Sequence, residues 1–157
     1  MTTLSTLRKL LCAAILGFAC PAIVLAQAAP AMHEGDVDVG DGVRIHYVEA
    51  GDRNAATRIV FVPGWCFSTT VWREQMTRFA ANAHVVSMDP RSQGQSTVTV
   101  KANTPEQRAQ DMRKVIASLG LKNVVLVGWS QGVQDVAAYA AASKGEGVAG
   151  YVLVDST

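Results

Sequence analysis

The apolar positions of this chain follow two spacings that take turns. Residues 35–39, "GDVDV", and 43–51, "VRIHYVEAG", alternate apolar with polar side chains, the period-two pattern of a half-buried strand. Gly40-Asp41-Gly42 between them is a hairpin signal. Arg58 to Val62, "RIVFV", is a short apolar run closed by Pro63-Gly64, which predicts a buried strand. The spacing then changes. Trp72, Met76, Phe79, Ala80 and Ala83 make one helical stripe, with Arg73, Glu74 and Arg78 on the opposite face.

The alternation continues to the end of the sequence. "HVVSM" at 84–88 reads as a strand. A second helix opens at "TPEQ", where Thr104 caps, Pro105 takes the first helical position and Gln107 closes a capping box. Its stripe is Met112, Val115, Ile116 and Leu119, and Gly120 supplies the left-handed residue that ends it. "NVVLVG" at 123–128 is a strand, Ser130 to about Ser143 a helix of small residues, and "YVLVD" at 151–155 a last strand. Strand and helix in this order predict an α/β fold: a mostly parallel sheet of about six strands, an antiparallel edge hairpin, and helices on both faces. Ligands of such sheets bind beyond the carboxyl ends of the strands. Chemistry is therefore expected in the loops starting at Pro63, Asp89, Gly128 and Asp155.

Composition changes this picture mainly at the N-terminus. The 157 residues are 49% hydrophobic and 17% charged, an ordinary balance for one globular domain. The first 28 read as a signal peptide: Arg8 and Lys9 precede a mostly apolar Leu10 to Leu25, and "VLAQAA" offers small residues for cleavage after Ala26 or Ala28. Residues 29–157 then form the domain of an exported protein, periplasmic or secreted. Pro21 interrupts the apolar run, so no stable membrane span is expected once the signal is removed. Cys20 after "LGFA" fits a lipoprotein site poorly. Without the leader, 12 basic residues face 13 acidic ones, and nothing points to nucleic acid or an anionic membrane. Cys66 is the single remaining thiol, which excludes an internal disulfide framework. Scattered histidines make no metal site, and neither GxGxxG nor GxxxxGK occurs, so no cofactor is expected.

Two loops carry candidate chemistry. In "GWSQG", 128–132, a GxSxG pattern sits where a strand turns into a helix, which is the setting of a nucleophile elbow with Ser130 as the nucleophile. The bland reading is a serine that caps the following helix. In "VPGWCFS", 62–68, a glycine loop follows the apolar strand at 58–62. With "MDPRSQGQST" at 88–97, these segments make the sequence resemble the α/β-hydrolase superfamily, in its serine esterase, lactonase and haloperoxidase-like branch, from about Val39 to Asp155. The resemblance implies that the backbone amides of Trp65 and Gln131 form the oxyanion hole. Pro63 stands where the family often has histidine, which puts the anchoring of that loop in question. In 88–97, Asp89, Arg91, Gly94 and Ser96 match the family's DxRGxGxS segment, which braces the site, and Ser92 replaces a glycine. A serine at the elbow separates the chain from epoxide hydrolase and haloalkane dehalogenase relatives, which carry aspartate there.

The family places its acid and then its histidine after the serine. Here His33, His46 and His84 all precede Ser130. His84 opens its strand at the end of the sheet away from Ser130, His46 reads as a surface residue of the edge hairpin, and His33 lies in an N-terminal segment ahead of the strands. None is placed to act as base, because proton transfer needs about 3 Å. Asp155 is either the triad acid or a structural carboxylate at a strand end. Cys66 reads as a small buried filler, with a thiol near the site as the alternative. The resemblance implies two further strands and their helices, so the chain reads as the N-terminal half to two-thirds of a hydrolase, with an apolar last strand open to self-association. The expected activity of the intact parent is hydrolysis of a carboxylic ester, lactone or similar small acyl substrate. A cofactor-free haloperoxidase or perhydrolase on the same serine, and a non-catalytic binding protein or inactive fragment, are the alternatives.

Overall fold

A computed structural model describes residues 29–155, so the expected leader lies outside the described residues. The elements are β1 (Met32–Gly40), β2 (Val43–Ala50), β3 (Arg58–Val62), a 3-10 turn (Thr69–Trp72), α1 (Arg73–Phe79), β4 (His84–Met88), α2 (Pro105–Ser118), β5 (Val124–Trp129), α3 (Gln131–Ser143) and β6 (Val148–Val154). They build one six-stranded sheet in the order β1-β2-β4-β3-β5-β6. β3, β4, β5 and β6 run parallel. β1 and β2 form the expected antiparallel hairpin, and β2 joins β4 antiparallel.

The sheet has two apolar faces because alternate strand residues point to opposite sides. Val60 and Val62 of β3 join Val86, Leu126, Met112, Val115 and Val136 in the cluster under α2 and α3. Ile59 and Phe61 join Val85, Trp72 and Met76 in the cluster under α1. The Phe61 and Trp72 rings lie 4.9 Å apart, tilted by 32°, a favourable aromatic arrangement. Full burial of a side chain such as Phe61 is worth about 2–3 kcal/mol.

The first helix is shorter than the stripe predicts. Trp72 belongs to the 3-10 turn, α1 stops at Phe79, and Asn82 N–H bonds to the Phe79 carbonyl at 3.0 Å as the chain turns into β4. Phe79 is 47% exposed, while Ala80 and Ala83 pack under the turn and not on a continuing helix. The 13-residue path from 72 to β4 must reverse direction, so a strand entry overrides helical spacing. α2 starts as expected: the Thr104 hydroxyl accepts the Gln107 amide at 3.3 Å, with Pro105 at the first turn. β6 begins at Val148, earlier than 151, because pairing to β5 continues past a register shift at Val124/Val125. β6 also bears the exposed apolar side chains Tyr151, Val152, Leu153 and Val154.

Two histidine expectations need correction. His33 is not in a loose segment but in β1, opposite Glu49. His46 is buried, because the 89–97 loop folds over it: Gln95 Nε2 donates to His46 Nε2 at 3.1 Å, and the His46 amide donates to Ser96 Oγ at 2.9 Å. Among the described residues, no helix is long and apolar enough to cross a membrane.

Candidate active site

β5 ends at Trp129 and α3 begins at Gln131, so Ser130 is the single residue of the strand-to-helix turn. Its backbone sits at φ 52° and ψ −120°, a region that costs a non-glycine residue about 1–3 kcal/mol. Its side chain makes no capping hydrogen bond, so the capping alternative fails.

The flanking glycines are required by close approach. A Cβ on Gly128 would lie 2.5 Å from the Gly132 carbonyl oxygen, and one on Gly132 would lie 2.4 Å from the Val62 carbonyl oxygen. Both contacts are far inside van der Waals separation and involve backbone, which cannot swing aside. The β3 loop reaches the serine as well. A Cβ on Gly64 would lie 3.1 Å from Ser130 Cβ and 3.3 Å from the Trp129 ring.

Trp65 follows Gly64 directly, and Gln131 follows Ser130, so two of the expected site residues flank the serine from opposite sides. Among the described residues, the Trp65 amide makes no backbone hydrogen bond in the loop, and Gln131 is the first residue of α3, where the amides have no intrahelical partner. The Trp65 side chain is 72% exposed, and Phe67 packs edge-on against Trp129 with ring centroids 4.8 Å apart. Cys66 is exposed and not the buried filler its size suggests. Its φ of 63° turns the loop there and carries the side chain outward.

Asp155 comes into place through β6. Trp129 pairs with Val154, and Ser130 N–H donates to the Val154 carbonyl at 3.0 Å, so Asp155 is the next residue beside Ser130 at the carboxyl edge of the sheet. It is exposed, with φ 47°.

The histidines are elsewhere. His84 pairs with Arg58, which pairs with Val124, six residues before Ser130. At about 3.3 Å per residue the two are roughly 20 Å apart. His84 Nε2 is engaged with Glu49 Oε2 at 2.8 Å in a buried pair that Arg53 also joins. Burial alone would raise the Glu49 carboxyl, but hydrogen bonds from Arg53 and His84 outweigh it and hold the group below its ordinary range. His33 and His46 sit on the hairpin, across β4 and β3 from β5.

The loop at 89–97 does more than its matches to the sequence pattern indicate. Buried Asp89 accepts the Thr69 amide at 2.6 Å and the Gln95 amide at 2.8 Å. Arg91 grips Asp111 of α2 by a two-pronged contact at 2.6 Å each, the strong geometry for a guanidinium and a carboxylate. Arg108 of α2 in turn donates to both oxygens of Asp135 of α3 at 2.9 and 3.1 Å. Burial pushes the Asp135 carboxyl up to about 6 in spite of Arg108. Sequence reasoning missed the Asp111 and Asp135 pairs. Their signal was a charge inside an apolar helical stripe, at Asp111 beside Met112 and Asp135 between Val133 and Val136.

A cleft of about 470 Å3 is lined by Met32, Glu34, Val48, Thr69, Met76 and Gln95 among others, and includes none of residues 128–132. Among the described residues, no group of three or more His, Cys, Asp or Glu side chains could hold a metal ion.

The chain is 36% identical over 123 residues to the bifunctional esterase/perhydrolase DCH of Acinetobacter calcoaceticus, covering 78% of this chain and 44% of that protein. It is 32% identical over 123 residues to a non-heme chloroperoxidase of Streptomyces lividans, with the same coverage. It therefore spans about half the length of the curated relatives it matches. The solved structure of Est816, an N-acyl homoserine lactone degrading enzyme, superposes with a TM-score of 0.72 at 26% identity, covering 78% of this chain and 45% of that one. Residues 59–157 match the alpha/beta hydrolase family. With the strand order, the strained serine turn and its flanking glycines, that match identifies the chain as a member of the alpha/beta hydrolase family.

Proposed function

We propose that the whole protein is a serine hydrolase of carboxylic esters, lactones or similar small acyl substrates, with Ser130 as nucleophile. The observation that carries this reading is the Ser130 backbone, strained at φ 52° with no capping hydrogen bond from its side chain. Strain of this kind persists where surrounding structure enforces it, here the close packing of Gly64, Gly128 and Gly132. The amides of Trp65 and Gln131 would receive the negative charge that develops on the substrate oxygen. Asp155, beside Ser130, is the proposed acid.

The base is the group His33, His46 and His84 do not supply, for the geometric reasons above. A serine hydroxyl without a base is a weak nucleophile, so the chain is expected to react slowly with an activated probe and to turn over no ordinary ester. Fluorophosphonate labelling tests the assignment. Labelling that disappears in Ser130→Ala supports it, and a folded, unlabelled protein removes the enzyme reading for this chain in favour of a non-catalytic binding role.

A second activity on the same serine is favoured by the relatives' names. DCH is an esterase and perhydrolase, and several relatives are non-heme haloperoxidases. Perhydrolysis needs the same acyl-enzyme, with peroxide in place of water, and no cofactor. Formation of peracid from acetate and hydrogen peroxide by the whole protein, absent in Ser130→Ala, separates this from hydrolysis alone. We also propose export, from the basic and apolar pattern of residues 1–28. N-terminal sequencing of material recovered outside the cytoplasm would show Gln27 or Ala29 first.

A further inference from the structure

We propose that Asp89 is a positioning residue of the candidate site: its carboxylate fixes the 64–70 loop, and with it the Trp65 amide, against Ser130. The inference rests on the reading of Ser130 as nucleophile. The hydrogen bonds internal to that loop give it shape but no location. Phe67 N–H bonds to the Gly64 carbonyl at 3.2 Å, Val71 N–H to the Ser68 carbonyl at 3.1 Å, and the Ser68 hydroxyl accepts the Thr70 amide at 3.4 Å. Among the described residues, the hydrogen bond that ties the loop to a neighbouring segment is Thr69 N–H to Asp89 Oδ1, at 2.6 Å.

Asp89 is itself held from every side. It is completely buried. Its amide donates to the His46 carbonyl at 2.9 Å, its carbonyl accepts the Ser96 hydroxyl at 2.6 Å, and its second carboxylate oxygen accepts the Gln95 amide at 2.8 Å. The 92–96 turn wraps the carboxylate so closely that a Cβ on Gly94 would lie 2.1 Å from Oδ2, and Gly94 has φ +53°. Among the described residues no side-chain cation pairs with the group, since Arg91 is committed to Asp111. Two backbone amides hold the carboxyl oxygens instead.

This answers how the loop is anchored with Pro63 at its start. The anchor lies at its far end, through Thr69, and runs back by way of Arg91 to α2. An oxyanion donor acts only if it is held within a fraction of an ångström of its working place. A residue that holds the loop thus affects reaction at Ser130 without touching substrate.

The test compares Asp89→Ala with the unaltered chain, Ser130→Ala, and Val115→Ala as a core-destabilised control remote from the loop. Fluorophosphonate labelling is followed over probe concentration, and amide hydrogen exchange of residues 65–69 is followed in parallel. Asp89→Ala is expected to lower the saturating labelling rate about tenfold or more, with the half-saturating probe concentration within about twofold. Exchange at 65–69 should quicken while that of β5 does not. Val115→Ala should label in proportion to its folded fraction. Labelling of folded Asp89→Ala at the original rate, or exchange at 65–69 unchanged, overturns the proposal. If the unaltered chain does not label at all, the Ser130 reading fails, and the exchange measurement alone decides whether Asp89 positions the loop.

Discussion

The amide of Ser130 donates to the carbonyl of Val154 at 3.0 Å, so the strained turn and the end of β6 form one hydrogen-bonded unit. The serine is therefore positioned by three strands: β5 leads into it, the β3 loop packs on it through Gly64, and β6 ties its amide. An element at the very edge of the sheet thus contributes directly to the candidate site.

That edge has a consequence for association. β6 is an uncharged strand with Leu153 56% exposed and, among the described residues, its outer edge is unpaired in the sheet order. Such edges template pairing between chains. Sedimentation velocity should show association that grows with concentration, and Leu153→Lys should reduce it. Concentration-independent monomers of the unaltered chain would refute the expectation.

Strain at Ser130 predicts a gain in stability on its removal. Ser130→Gly should stabilise the fold by about 1 kcal/mol, since only glycine occupies that backbone region freely. Ser130→Ala, which keeps a Cβ and loses a hydroxyl that caps nothing, should stay within about 0.5 kcal/mol. Thermal unfolding of the two variants checks both values, and equal midpoints would show that the turn stores no strain.

Crowding at the flanking glycines predicts the opposite sign. Gly132→Ala sets a methyl 2.4 Å from the Val62 carbonyl oxygen and 2.9 Å from that of Pro63. Overpacking against backbone costs about 1–3 kcal/mol, so the unfolding midpoint should fall by several degrees. Gly145→Ala provides the contrast in crowding: nothing lies within 4 Å of its Cβ position, and its φ of +81° leaves conformational strain alone.

Asp135 predicts a pH dependence with an unusual sign for a carboxylate. Burial raises its folded-state pKa from 3.8 to about 6, so between these values the folded chain holds a proton that the unfolded chain releases. The contribution to stability is complete below about 3.8 and is lost as pH rises through about 6. A shift of this size corresponds to roughly 3 kcal/mol at most. Unfolding free energy should fall more steeply from pH 4 to 7 in the unaltered chain than in Asp135→Asn, and parallel profiles would contradict the raised pKa.

The buried strands were legible because their signal is local. "RIVFV" and "HVVSM" appear as β3 and β4 with the expected bounds, since a strand covered on both faces reads as a near-continuous apolar run. The hairpin at 40–42 and the start of α2 were equally plain, the first because glycine tolerates the positive φ of a tight turn and the second because Pro105 presets helical φ behind the Thr104 cap. α1 was misread in length because Phe79, Ala80 and Ala83 keep helical spacing although the chain has already turned toward β4. His46 and Cys66 exchanged their expected environments. One is covered by a loop 50 residues away in sequence, and the other is turned outward by its own backbone.

What the sequence determined alone was the order of elements, the sheet class and the serine flanked by glycines, because hydrophobic period and glycine placement act over a few residues. Tertiary structure decided the rest. The backbone of Ser130 is held in its strain by Gly64 in the loop after β3, the 64–70 loop takes its place from Asp89, and Asp135 takes its altered affinity for protons from burial beside Arg108. Each depends on groups tens of residues apart meeting in a water-poor interior, where an unpaired charge or an extra methyl is costly, and no local pattern encodes that meeting.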